Sequence, residues 1–184
     1  GEVWANGERR PAAAALPDAG LTPLPLSGRD ALAMANGTSF LAGIAALAVA
    51  RAHRLVAAAE ELTAWLYATL GCPRSALDPR LHAGRGHAGQ RQSAANIRRA
   101  VARRRSRPDP TRPLQEVYSV RCAPQVLGAC RENVGFATRL VEAETNGVSD
   151  NPFFYDAGGS ARVAHGGNFH GQQVGFAADA VNAA

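Results

Sequence analysis

The chain has 184 residues, 46% of them hydrophobic and 19% charged, so a buried core is expected and disorder by composition is excluded. Its net charge of +5 rests on 20 basic residues, all of them arginine. Cys72, Cys122 and Cys130 show no CxxC spacing, which argues against a disulfide framework or zinc site and for a reducing, cytoplasmic setting.

Val3 to Arg9 contains Asn6-Gly7, which suits a type I′ turn and predicts a small hairpin. A linker with Pro17, Pro23 and Pro25 follows. Ser27 and Asp30 then form a capping box that starts a helix near Gly28. Asn36-Gly37 interrupts it, and helical pattern resumes from Thr38 to Leu70, where Gly71-Cys72-Pro73 is a stop signal. Leu55, Leu62, Trp65, Leu66 and Leu70 keep helical spacing and are expected in the core. A glycine-rich stretch, His82 to Gln90, leads into a third helix ending near Arg104. A fourth runs from Pro124 to Glu144, with Val126, Cys130, Val134, Ala137 and Val141 as its apolar stripe. Phe153-Phe154-Tyr155 and Ala161-Arg162-Val163 predict a second hairpin, and a last helix starts after Gly171. The fold class is therefore all-α, mainly long helices with small hairpins.

Six arginines between Arg98 and Arg107 could contact phosphate, but no nucleic-acid-binding signature accompanies them. A solvated helix end running into a loop at Pro108, Pro110 and Pro113 is the simpler reading, so no nucleic-acid partner is expected. The longest apolar run, Phe40 to Ala50, is short for a bilayer, and no membrane partner is expected either. His82 with His87, and His165 with His170, lack a carboxylate or Cys at metal spacing, so no metal is expected. No G-x-S-x-G elbow is present.

Four polar segments exceed what a plain bundle needs. Asn36 to Ser39 is either a ligand contact or a kink. Gln115, Tyr118 and Arg121 fall three apart, so one helical turn would align them. Arginine grips a carboxylate and a phenol can exchange a proton; an ion pair of Arg121 with Glu116 is the competing reading. Glu144 to Pro152 reads first as a structured turn. His165 to Gln173 contains two glycines that allow close backbone approach, with Asn168 and Phe169 able to line a pocket.

In order along the chain, these segments resemble the ammonia-lyases and aminomutases that use a methylidene-imidazolone (MIO) prosthetic group. Leu32 to Thr38 looks like the family's LALINGT, and Leu81 to Gln90 is similar to its IHALRPHPGQ. Tyr118 to Cys130 resembles YSLRCQPQVMGAC, while Val148 to Pro152 and Gly166 to Gln172 match VSDNP and GGNFHGQ. The resemblance implies that Arg121 pairs with a substrate carboxylate, with Gln115 beside Tyr118, and that Tyr118 supports MIO formation or proton transfer. It implies that Asn36 hydrogen-bonds near the prosthetic group, and that Phe169, with Asn168 adjacent, lines the pocket against it. A homotetramer acting on an amino acid as its small-molecule substrate is implied as well.

The family builds MIO from an Ala-Ser-Gly triad that this chain does not contain. The resemblance thus makes residues 1–184 a single partial domain, the middle of an ammonia-lyase, without the MIO segment or later helices and inactive alone. Cys122 and Cys130 resemble the histidine enzymes, which favours elimination of ammonia from histidine to an α,β-unsaturated acid such as urocanate. Tyrosine or phenylalanine ammonia-lyase or aminomutase is the alternative, and a non-catalytic relic or partner subunit is the other. Departures from the family pattern are Gly86, Ala88, Glu116-Val117, Gly147 and Gln173.

Overall fold

The computed structural model describes residues 1–184 except Ser106 and Pro108, so the expected loop at Pro108 lies partly outside the described residues. Contacts divide the chain into two units, Gly1–Asn36 and Gly37–Ala184, where one domain was expected.

In the first unit, β1 (Glu2–Ala5) and β2 (Glu8–Pro11) pair antiparallel. Asn6 and Gly7 both have positive φ, 55° and 81°, as a type I′ turn requires. The expected linker instead begins as a helix, α1 (Ala12–Asp18), with Pro17 in its last turn. An alanine run is the strongest helix former, and a proline near the end removes few helical bonds. α2 (Gly28–Ala35) starts at the predicted capping box: Ser27 Oγ accepts from the Asp30 amide, and Asp30 accepts from the Ser27 amide.

The second unit is a helical bundle. Its spine is α3 (Ser39–Leu70), closed by Gly71 in a left-handed C-cap. A 3-10 turn (Arg74–Leu77), α4 (Pro79–Arg85) and α5 (Ala88–Ala102) follow. The short α6 (Tyr118–Arg121) leads into α7 (Ala123–Asn146). The hairpin β3 (Phe153–Asp156) and β4 (Ala161–Ala164) precedes α8 (Gln172–Asn182).

α7 runs antiparallel to α3: Thr38 meets Glu144, His53 meets Thr138, and Glu60 meets Arg131. The face of α3 inside the bundle carries Ala42, Val49, Val56, Glu60, Thr63, Ala64 and Tyr67. Leu55, Leu62, Trp65, Leu66 and Leu70, expected in the core, lie on the outer face, with Leu55 72% exposed. α5, α7 and α8 all pack on that inner side, which leaves the leucine stripe outward. On α7, Val134, Ala137 and Val141 are buried as expected, while Val126 is exposed. Over its most apolar window the stretch Gly28–Leu70 has mean hydropathy 1.7, yet α3 also buries Glu60, which is bonded by Ser93 and Asn96 of α5 and Arg131 of α7.

α5 and α7 approach backbone to backbone at Gly89 and Gly128. A Cβ on Gly128 would overlap the backbone of Gln90. Of the arginine cluster, Arg104 stacks over Trp65 at 4.5 Å and pairs with Glu61, and Arg98 bonds the Leu77 carbonyl.

Candidate functional site

Where α6 meets α7, a cleft of about 560 Å³ opens between them and the 3-10 turn, lined by Ala76, Leu81, Gln115, Tyr118, Arg121 and Gln125 among others. The three residues do meet: Arg121 Nη1 donates to Gln115 Oε1 at 2.6 Å, and its guanidinium carbon sits 4.9 Å from the centre of the Tyr118 ring. Gln115 reaches Arg121 from the preceding loop rather than from the same helical turn. The guanidinium is thus oriented by an amide on one side and a ring on the other, leaving cationic charge at the cleft.

Glu116 is not the partner of Arg121. It is buried behind the loop and gripped by Arg112, whose Nε and Nη2 donate at 2.8 and 2.5 Å. Hydrogen bonding from Arg112 holds the Glu116 carboxyl below the usual range. Burial, then the charge of Glu116, pushes the Cys72 thiol up. Tyr67, inside the core and 3.4 Å from the Val120 carbonyl, is pushed up to about 12, chiefly by burial. This inward cluster anchors the loop in which Gln115, the residue just before Glu116, faces the cleft. The opposite wall is fixed by buried His82: Nε2 donates to the Ala76 carbonyl at 2.9 Å, and Nδ1 accepts from Gln90 at 3.0 Å.

A second polar cluster forms at the N-terminal end of α3. The Thr38 hydroxyl donates to the Glu144 carboxylate, and the Thr38 amide donates to Ser149 Oγ at 3.3 Å. Gly37 has φ 86°, and a Cβ there would stand 2.9 Å from Ser149 Oγ, so only glycine fits. Asn168 Nδ2 donates to the Val148 carbonyl at 3.1 Å, and the Gly166 amide donates to Asn151 Oδ1 at 2.8 Å. Phe169 beside them is 45% exposed. Three of the polar segments singled out in the sequence therefore converge here. Asn36 belongs to the first unit, where it caps α2 and its amide bonds the Leu32 carbonyl.

These two clusters stand at opposite ends of the bundle. α3 has 32 residues, with Thr38 at its start and Tyr67, against Val120, near its end; at 1.5 Å per residue the separation is about 40 Å. The 24 residues of α7 between Arg121 and Val148 give about 36 Å independently. One copy of the chain therefore does not bring Arg121 and Phe169 into one pocket. Gln125 and Leu81, which sequence reasoning gave no role, also line the cleft. The four-residue step from Arg121 to Gln125 was the available signal. Among the described residues, no group of three or more His, Cys, Asp or Glu is placed to hold a metal ion.

Comparison with known proteins places this geometry. The family model for aromatic amino acid lyases matches residues 1–184. The chain is 43% identical over 184 residues to a histidine ammonia-lyase of Gloeobacter violaceus, covering 97% of this chain and 35% of that protein. It is 36% identical to one of Myxococcus xanthus, covering 98% and 36%. Among solved structures, tyrosine aminomutase from Streptomyces globisporus superposes with TM-score 0.83 at 32% identity, covering all of this chain and 38% of that one. Histidine ammonia-lyase from Trypanosoma cruzi gives 0.80 at 32% identity, covering 96% and 32%. The chain thus spans little more than a third of the relatives it matches, and over that span it belongs to the aromatic amino acid lyase family.

Proposed function

We propose that the intact protein carrying this chain is a cytoplasmic ammonia-lyase that eliminates ammonia from histidine to give an α,β-unsaturated acid. The observation that carries this reading is the Arg121 guanidinium, held by Gln115 and Tyr118 at the mouth of a cleft with apolar Leu81 and Ala76 on its wall. A fixed guanidinium suits a carboxylate bidentately, and an apolar wall suits a ring. Tyr118, 73% exposed beside Arg121, has a phenol free to hold or pass a proton next to the bound α-carbon.

The family's MIO group, when bound, supplies the electrophile that makes the α-amino group a leaving group. Phe169, half-exposed after Gly166 and Gly167, is the aromatic side chain of this chain that would pack against it and hold it. Because Phe169 and Arg121 lie about 40 Å apart on one chain, a site using both draws on two subunits, which supports a homotetramer or other closed oligomer.

The likeness to tyrosine aminomutase favours a second reading, ammonia transfer on tyrosine or phenylalanine. Incubation of the intact gene product with each of the three amino acids decides. Ammonia with an arylacrylate from histidine supports the proposal, and a β-amino acid from tyrosine or phenylalanine supports the second reading. If no substrate is consumed, the protein is a non-catalytic relative or partner subunit.

A further inference from the structure

Two side-chain atoms bordering the cleft are buried and have no hydrogen-bond partner: Arg121 Nε, a donor, and Gln125 Oε1, an acceptor. Each carries the desolvation cost of an unmade bond. Their residues are four apart on nearly continuous helical backbone. The Cys122 amide bonds the Tyr118 carbonyl at 2.8 Å, and the Val126 amide bonds the Cys122 carbonyl at 3.1 Å. This spacing puts both side chains on one face. Both line the same cleft, and Arg104 Nε, the other such atom among the described residues, lies just past the end of α5.

In this state Gln115 draws the guanidinium by Nη1, and the Tyr118 ring faces it. A carboxylate entering the cleft needs the outer edge of the guanidinium, and Nε–H then still needs an acceptor away from the ligand. We propose that Gln125 is a second positioning residue of the carboxylate site: its Oε1 accepts from Arg121 Nε when the cleft is filled. Gln115 and Gln125 then hold the guanidinium from two sides, and Nη2 with the second Nη1 hydrogen is left as the fork for the ligand. The proposal rests on the reading of this cleft as the site of the substrate carboxylate.

The test uses the intact gene product and two probes, the arylacrylate that corresponds to its substrate and the primary carboxamide of that acid. Gln125→Met keeps the volume and removes the acceptor. It should weaken binding of the acid about tenfold while the carboxamide changes less than about twofold. In an Arg121→Lys background, which has no guanidinium Nε, Gln125→Met should add nothing. Gln125→Ala serves if Gln125→Met fails to assemble, with the same expected pattern. Equal losses for acid and carboxamide, no loss for either, or the same loss in the Arg121→Lys background overturns the proposal alone. If the unaltered protein does not prefer the acid over the carboxamide, the carboxylate reading of the cleft fails and the proposal with it.

Discussion

Arg121 concentrates the chemistry this chain can supply, because a guanidinium held by one amide and one ring presents a fixed donor edge. Lysine in its place keeps the charge and loses the fork, and charge-assisted bonds of this kind are each worth about 1.5–3 kcal/mol. Arg121→Lys in the intact protein should therefore raise KM for the amino acid roughly 10- to 100-fold, with the fold unchanged by circular dichroism. An unchanged KM would remove Arg121 from the carboxylate site. Behind the cleft, Tyr67 tests the packing of the wall through its proton. Its folded pKa of about 12 stands above the ordinary 10.0. A raised folded value means that the contribution to stability is complete below the unfolded pKa and is lost as pH rises through the folded one. Stability should accordingly fall between about pH 10 and 12 in the unaltered protein. In Tyr67→Phe that alkaline loss should be smaller, measured by denaturant titration at several pH values. An alkaline limb of the same depth in both proteins would show that the Tyr67 phenol is not held neutral by its surroundings.

At the scale of elements, helix existence and limits were legible where the sequence carries a specific stop or cap. The Ser27–Asp30 box, Gly71 and the break at Asn36-Gly37 all stand where chain chemistry put them. What the pattern did not carry was which side of α3 is covered. Periodicity groups Leu55, Leu62 and Leu66 on one face, but the number of neighbours a face receives is a tertiary property. Here three helices crowd the other side, and the leucines are left outside. α1 was hidden for a related reason, since Pro17 reads as a linker although it occupies only the last turn. The closest crossing, α5 on α7, rests on two glycines that the sequence shows without indicating their contact. Gly128→Ala would push a methyl against the backbone of Gln90, which no rotamer change relieves. It should cost about 1–3 kcal/mol and lower the melting temperature. If Gly128→Ala melts at the same temperature, α5 and α7 do not cross as closely as these glycines imply.

At the scale of the whole molecule, the two polar clusters were each legible as motifs, yet their separation was not. Local spacing aligns Tyr118 and Arg121, with Gln115 joining them from the loop before, and turn chemistry gathers Thr38, Ser149 and Asn168. The roughly 40 Å between the groups follows only once α3 and α7 are known to lie straight and antiparallel. If catalysis needs both Arg121 and Phe169, then one site takes its guanidinium from one subunit and its aromatic ring from another. Two variants, Arg121→Ala and Phe169→Ala, would each be inactive as a homo-oligomer. Mixed subunits of the two should then recover activity, because some sites receive an intact Arg121 from one chain and an intact Phe169 from the other. Random assortment from equal amounts makes that fraction roughly a quarter of all sites. Co-expression of the two full-length variants with different affinity tags, followed by tandem purification and assay, measures it. Recovery near that fraction would place the clusters of two subunits in one catalytic site. If purified mixed oligomers stay as inactive as either parent, the two ends do not meet between subunits, and Phe169 and Arg121 do not serve the same reaction.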